Sequence, residues 1–125
     1  MELAANYALS GLIFLLILGS GAWVGVVGRP YNTLLFTLHK LIALGGVIVT
    51  GLEVYRTFED MGVEAASVAL VALTALGVIA LFATGALMSI RSAVDRRLLV
   101  THRIAPAVAL FSMAGLVFYL AGTGP

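Results

Sequence analysis

Residues 33–53 have the sequence TLLFTLHKLIALGGVIVTGLE, and this stretch decides the fold class of the chain. It is apolar and long enough to cross the hydrocarbon core of a bilayer as one helix, which takes about 20 residues. It nevertheless carries His39 and Lys40 in its first turns. Because ionisable side chains are costly inside a membrane span, they usually face the interior of a helix bundle and mark a functional site.

The composition of the whole chain indicates a membrane protein. The chain has 125 residues, of which 62% are hydrophobic and only 10% are charged, whereas a soluble domain is about a quarter charged. No polar stretch is long enough to form a separate soluble domain, so we expect a single domain over residues 1–125. The absence of cysteine excludes disulfides, thiolate metal sites and cysteine nucleophiles.

Three further apolar stretches predict three more membrane spans. The four spans are expected at about residues 7–27, 33–53, 65–90 and 98–121. Since short connections join antiparallel neighbours, the sequence predicts an all-α integral membrane protein, a four-helix up-down transmembrane bundle. The N-terminus carries Glu2 and no basic residue. It therefore lacks the positive region of a signal peptide, and we expect the first span to be retained.

The charges are divided unequally between the two ends of the spans. Arg29 lies in the first connection and Arg91, Arg96 and Arg97 lie in the third, whereas the second connection is acidic. Cytoplasmic loops of membrane proteins carry the excess of lysine and arginine. We therefore expect a multi-pass protein of a bacterial or archaeal inner membrane, with both basic connections in the cytoplasm and both termini outside.

The second histidine, His102, lies near the start of the fourth span. His39 follows Thr33 and His102 follows Leu98 by a few residues each, so both imidazoles are expected roughly 6–9 Å into the hydrocarbon from the same side. In an up-down bundle the second and fourth spans lie on a diagonal, with axes on the order of 12–14 Å apart. A metal between two inward histidines fits that separation.

Small residues follow each histidine along its own helix face. They are Ala43, Gly46, Ala105 and Ala109. They leave space for a flat, bulky ligand. Two histidines are too few for a zinc site, which takes four ligands, but they suffice as axial ligands of haem iron. The residues therefore indicate haem b, with His39 and His102 as the iron ligands.

Lys40 and Arg103 directly follow the two histidines. Each points about 100° away around its helix and can extend toward the cytoplasmic headgroups, where it can pair with a haem propionate. Anchors that set orientation without any ligand explain both residues equally well. For the histidines too, an interfacial hydrogen bond to a neighbouring helix is an alternative, and the small residues can serve helix packing alone.

Three segments together resemble a known family. They are LHKLIALGGVIVTGLEVYR in the second span, TGALMS at the end of the third and THRIAPAVAL at the start of the fourth. They are similar to segments of the small bacterial four-helix membrane cytochromes b, as are the length, the helix number and the early His-Lys pair. Members of that family typically bind two haems and oxidise quinol. Since this chain has two histidines and none in its first span, we expect one haem.

The sequence thus predicts a membrane b-type cytochrome that holds one bis-histidine haem near the cytoplasmic side for electron transfer. Whether the protein is an enzyme on its own stays open, as does oligomer formation. Its expected partners are membrane lipid and either a quinone or a redox protein, but not nucleic acid. One alternative is a non-redox accessory or assembly subunit of a membrane complex, with or without a chlorophyll-type pigment bound by histidine. The other is a small transporter that uses the histidines as proton relays.

Overall fold

A computed structural model describes residues 5–91, 93 and 95–123 of the chain, so Glu2 lies outside the described residues. It contains four long helices: α1 (Ala8–Val27), α2 (Thr33–Met61), α3 (Ala65–Ile90) and α4 (Arg96–Thr123). All four are long and apolar enough to cross a membrane. No strand occurs among the described residues. The prediction of an all-α membrane protein with four spanning helices is confirmed.

The helices pack in pairs as two hairpins. α1 packs against α2 and α3 against α4, and the chain divides into two compact units between Gly62 and Val63. In the turn of the first hairpin, Gly28 ends α1 with a φ of 73°, which glycine adopts without steric cost. Asn32 then caps α2 by accepting a hydrogen bond from the amide of Leu35 at 3.1 Å.

The second helix is longer than the predicted span. α2 continues past Glu53 through the acidic segment to Met61, because no glycine or proline interrupts it there. A hydrogen bond of 2.7 Å from Tyr55 to Glu59, one turn later, joins two side chains of this extension. The helix ends at Gly62, which has a φ of 82°. Residues 54–61 are therefore helical instead of forming a loop.

Small residues allow the helices of each hairpin to approach closely. In the first hairpin, a Cβ added to Gly46 would lie 2.9 Å from the side chains of two isoleucines of α1. In the second, a Cβ added to Gly77 would lie 3.3 Å from the Cβ of Ala109 and 3.4 Å from the carbonyl oxygen of Ala105. Gly46, Ala105 and Ala109 thus belong to the helix contacts of their own hairpins, as small residues commonly do in membranes.

The two hairpins carry the same pattern of residues. ALS at 8–10 and SGA at 20–22 in α1 correspond, at the same spacing, to ALT at 72–74 and TGA at 84–86 in α3. In the second half of each hairpin, His39 follows Asn32 by the same interval by which His102 follows Asp95. Asp95 also accepts a hydrogen bond from a backbone amide at the start of α4. The chain therefore contains an internal repeat, in which the two histidines hold equivalent positions.

The hairpins differ at the ends opposite their turns. In the first, Ser10 donates a hydrogen bond to the carboxylate of Glu53 and accepts one of 2.9 Å from Thr50. In the second, the position equivalent to Glu53 is Leu116, which is completely buried. The position that holds a hydrogen-bonded carboxylate in the first hairpin thus holds a buried apolar side chain in the second.

Candidate functional site

His39 is half-buried in the second turn of α2, and its ring lies against α1. Its Nδ1 is 2.9 Å from the Oγ of Ser20. A Cβ added to Gly21 would lie only 2.9 Å from the ring carbon Cε1. α1 can therefore contact the imidazole at this position because residue 21 has no side chain.

His102 has the same surroundings in the second hairpin. Its Nδ1 is 2.7 Å from the Oγ1 of Thr84, and a Cβ added to Gly85 would lie 3.5 Å from its Cε1. Thr84 is buried, whereas the ring is half-buried. In each hairpin, a hydroxyl–glycine pair of the first helix thus holds the histidine of the second helix.

The remaining predicted site residues lie in different surroundings. The Nζ of Lys40 is 4.4 Å from the ring centroid of Phe36, one turn earlier in α2, so this side chain extends toward the turn of the hairpin. Arg103 is exposed and Ala43 is half-buried. That Lys40 and Arg103 pair with haem propionates stays a prediction.

The other three small residues already have a structural role. Gly46, Ala105 and Ala109 are buried against the partner helix of their own hairpin. Packing within each hairpin therefore accounts for their size. That they and Ala43 also border a ligand stays a prediction.

The described side chains restrict the kind of metal site that the protein can form. Among the described residues, no three His, Cys, Asp or Glu side chains are grouped so that they could hold a metal ion. A prosthetic group that brings its own equatorial ligands needs only two axial imidazoles. Each of the two histidines has a second ring nitrogen besides the Nδ1 that lies beside a hydroxyl.

Ser20, Gly21, Thr84 and Gly85 are functional candidates that the sequence reasoning missed. Hydroxyls are frequent in membrane helices, where they usually bond to their own backbone or to a neighbouring helix, so neither Ser20 nor Thr84 is conspicuous alone. The internal repeat is the feature of the sequence that could have identified these residues. SGA and TGA stand at equivalent places, and each is followed, after a cap, by a histidine and a basic residue.

The two glycines provide a matched pair of substitutions. We expect Gly21→Ala to displace the His39 ring, because the new methyl group would lie 2.9 Å from Cε1. Gly85→Ala should be tolerated, since its Cβ would make an ordinary contact of 3.5 Å with His102. The ring signals of both histidines in NMR spectra of the two variants measure the difference. Equal perturbation by both substitutions would contradict this difference in ring packing.

Comparison with known proteins identifies no relative that would supply a function. No protein-family model, no curated protein and no solved structure matches this chain. The function is therefore inferred from the two histidines, their hydroxyl partners and the four apolar helices.

Proposed function

We propose that this protein is a membrane b-type cytochrome that binds one haem b through His39 and His102 and transfers electrons. The observation that carries the proposal is the equivalence of the two histidines. Each occupies the same position in its half of the internal repeat, and each is bonded through Nδ1 to a hydroxyl of the facing helix. Two equivalent imidazoles are the ligand set that a haem with two axial protein ligands requires.

The residues of the chain have distinct roles in this proposal. His39 and His102 bind the iron, and the hydroxyls of Ser20 and Thr84 hold the two rings. Lys40 and Arg103, which follow the histidines, would pair with the propionates near the headgroups. When bound, haem supplies a one-electron redox couple. The apolar helices would keep water away from the haem. Their low-dielectric surroundings would help to set the redox potential of that couple.

An absorption spectrum of the purified full chain tests the proposal. The protein, isolated in detergent and supplied with haemin, should show a sharpened α band after dithionite, at one haem per polypeptide. A bound pigment that absorbs without changing on reduction would instead favour the accessory subunit. A protein that stays colourless after haemin is added would contradict the cytochrome and favour a transporter or a subunit without pigment.

The electron partner and the orientation are part of the proposal. The charge distribution supports a cytoplasmic location for both hairpin turns and an outer location for both termini. Haem near one side of the membrane needs a quinone or a redox protein to complete electron transfer. The acidic side chains at the end of α2 and in the connection to α3 offer a docking surface for such a partner.

Single cysteines can test the orientation, because the chain contains none of its own. A cysteine at Ala93, exposed in the turn before α4, should react with an impermeant reagent only after the membrane is opened. A cysteine at Val63, exposed between α2 and α3, should react in intact cells. The reverse labelling pattern would overturn the proposed orientation. Asn32 is less suitable for a cysteine because it caps α2.

Removal of the basic neighbours should change the redox potential while the haem stays bound. Lys40→Ala and Arg103→Ala each remove a positive charge near the iron, which favours the oxidised and more positive state. The midpoint potential should therefore fall in both variants, and the shift should shrink at high salt because the two side chains are exposed. Redox titration measures it. An unchanged potential in both variants would show that the two residues only anchor the helices at the headgroups.

A further inference from the structure

Each hydroxyl group beside a histidine also lies within hydrogen-bonding distance of a carbonyl oxygen on its own helix. The Oγ of Ser20 is 3.1 Å from the carbonyl oxygen of Ile17, and the Oγ1 of Thr84 is 2.7 Å from the carbonyl oxygen of Ala80. A carbonyl oxygen can only accept, so the single hydrogen of each hydroxyl has an acceptor on its own helix. A hydroxyl that donates to this carbonyl acts as the acceptor toward the histidine.

This direction determines the tautomer of both rings. If the hydroxyl accepts, Nδ1 of His39 and Nδ1 of His102 each carry the hydrogen, and in the neutral ring the lone pair is on Nε2. Neutral imidazole binds metals through a nitrogen lone pair, while its other N–H is commonly bonded to an acceptor that orients the ring. The same arrangement occurs in both halves of the internal repeat.

We propose that Ser20 and Thr84 are positioning residues, which hold His39 and His102 in the Nδ1–H tautomer and thereby make Nε2 of each ring the iron-binding atom. The role toward iron depends on the proposed haem function, whereas the tautomer does not. An N–H bonded to an acceptor also makes the imidazole a stronger electron donor. That effect stabilises ferric iron, so the two hydroxyls lower the midpoint potential.

The two sites should respond to different extents when the hydroxyl is removed. Beside His39, the backbone carbonyl of Ile17 is a second acceptor near the ring, and it remains in Ser20→Ala. Thr84 is buried, and its Oγ1 is 2.7 Å from the Nδ1 of His102. Thr84→Val, which preserves the volume of the side chain, is therefore the more informative variant.

The tautomers can be measured directly in the protein without haem. The chain has two histidines, so ring-nitrogen NMR of the full chain in lipid nanodiscs gives two sets of signals, assigned with single histidine variants. Both rings should be protonated at Nδ1. In Thr84→Val, the His102 ring should become a mixture of tautomers, and Thr84→Ser should restore the single form. Thr74→Val is the matched control, because the Thr74 hydroxyl in the same helix bonds Ser112.

Haem affinity and the midpoint potential test the proposed role of the two hydroxyls toward iron. Thr84→Val should weaken haem binding roughly 10-fold or more, as loss of such an oriented partner commonly does, and should raise the midpoint potential, opposite in sign to Lys40→Ala. A wild-type ring protonated at Nε2 would overturn the proposal, as would a Thr84→Val variant with unchanged tautomer and affinity. If the tautomers are as expected but the wild-type protein binds no haem, the positioning of the rings stands and the cytochrome function fails.

Discussion

His39→Ala and His102→Ala should each abolish the low-spin bis-histidine haem completely. In the proposed site His39 and His102 would both bind the iron, and low-spin bis-histidine haem needs both imidazoles. Loss of either imidazole leaves a five-coordinate, high-spin species or protein without haem. The absorption spectrum and the haem content per polypeptide measure the loss.

The double variant distinguishes one shared site from two separate ones. If both histidines bind the same iron, His39→Ala/His102→Ala should lose no more low-spin haem than either single variant, because the first substitution has already destroyed the site. Lys40→Ala and Arg103→Ala, at the adjacent positions, are the controls and should retain the low-spin spectrum. Retention of that spectrum after the loss of either histidine would show that the central proposal is wrong.

Hydropathy was sufficient to predict the four helices but not all of their ends. A stretch such as residues 33–53 is apolar over the thickness of a bilayer, which requires a helix because no other acceptor is present for its backbone groups. The expected end at Glu53 marked where the charges begin. A helix can continue into water, however, and α2 continues to Met61 because the first residue that stops it is Gly62.

The site was predictable only in part, and for a physical reason. A histidine inside an apolar stretch is conspicuous because it is costly there, whereas a serine or threonine costs little and is common. Ser20 and Thr84 therefore become visible only when the two halves of the chain are compared. The small residues near the histidines were predicted to border a flat ligand. From the sequence alone, a glycine that admits a ligand cannot be distinguished from one that admits a neighbouring helix.

Gly46→Leu is expected to disrupt the first hairpin, and it provides the test of that distinction. Even a Cβ at this position would lie 2.9 Å from Ile13 Cγ2 and Ile17 Cδ1, and leucine adds three more carbon atoms. Overpacking of this kind costs about 1–3 kcal/mol and occasionally more. Thermal unfolding of the purified protein should therefore shift to lower temperature, and haem occupancy should fall with it.

Gly45→Leu is the matched control, because a Cβ at this adjacent position has no atom within 4 Å. Its unfolding temperature should stay close to that of the wild-type protein.

The second hairpin suggests a second substitution that should restore stability. At the positions equivalent to Ile13 and Gly46, it has Gly77 and Ala109, so the glycine lies on the first helix instead of the second. Gly46→Ala should itself lose stability, because its Cβ would lie 2.9 Å from both isoleucines. Ile13→Gly should recover part of that loss. If Gly46→Leu unfolds like the wild type and loses only its haem, Gly46 borders the cofactor and the contact with the two isoleucines is secondary.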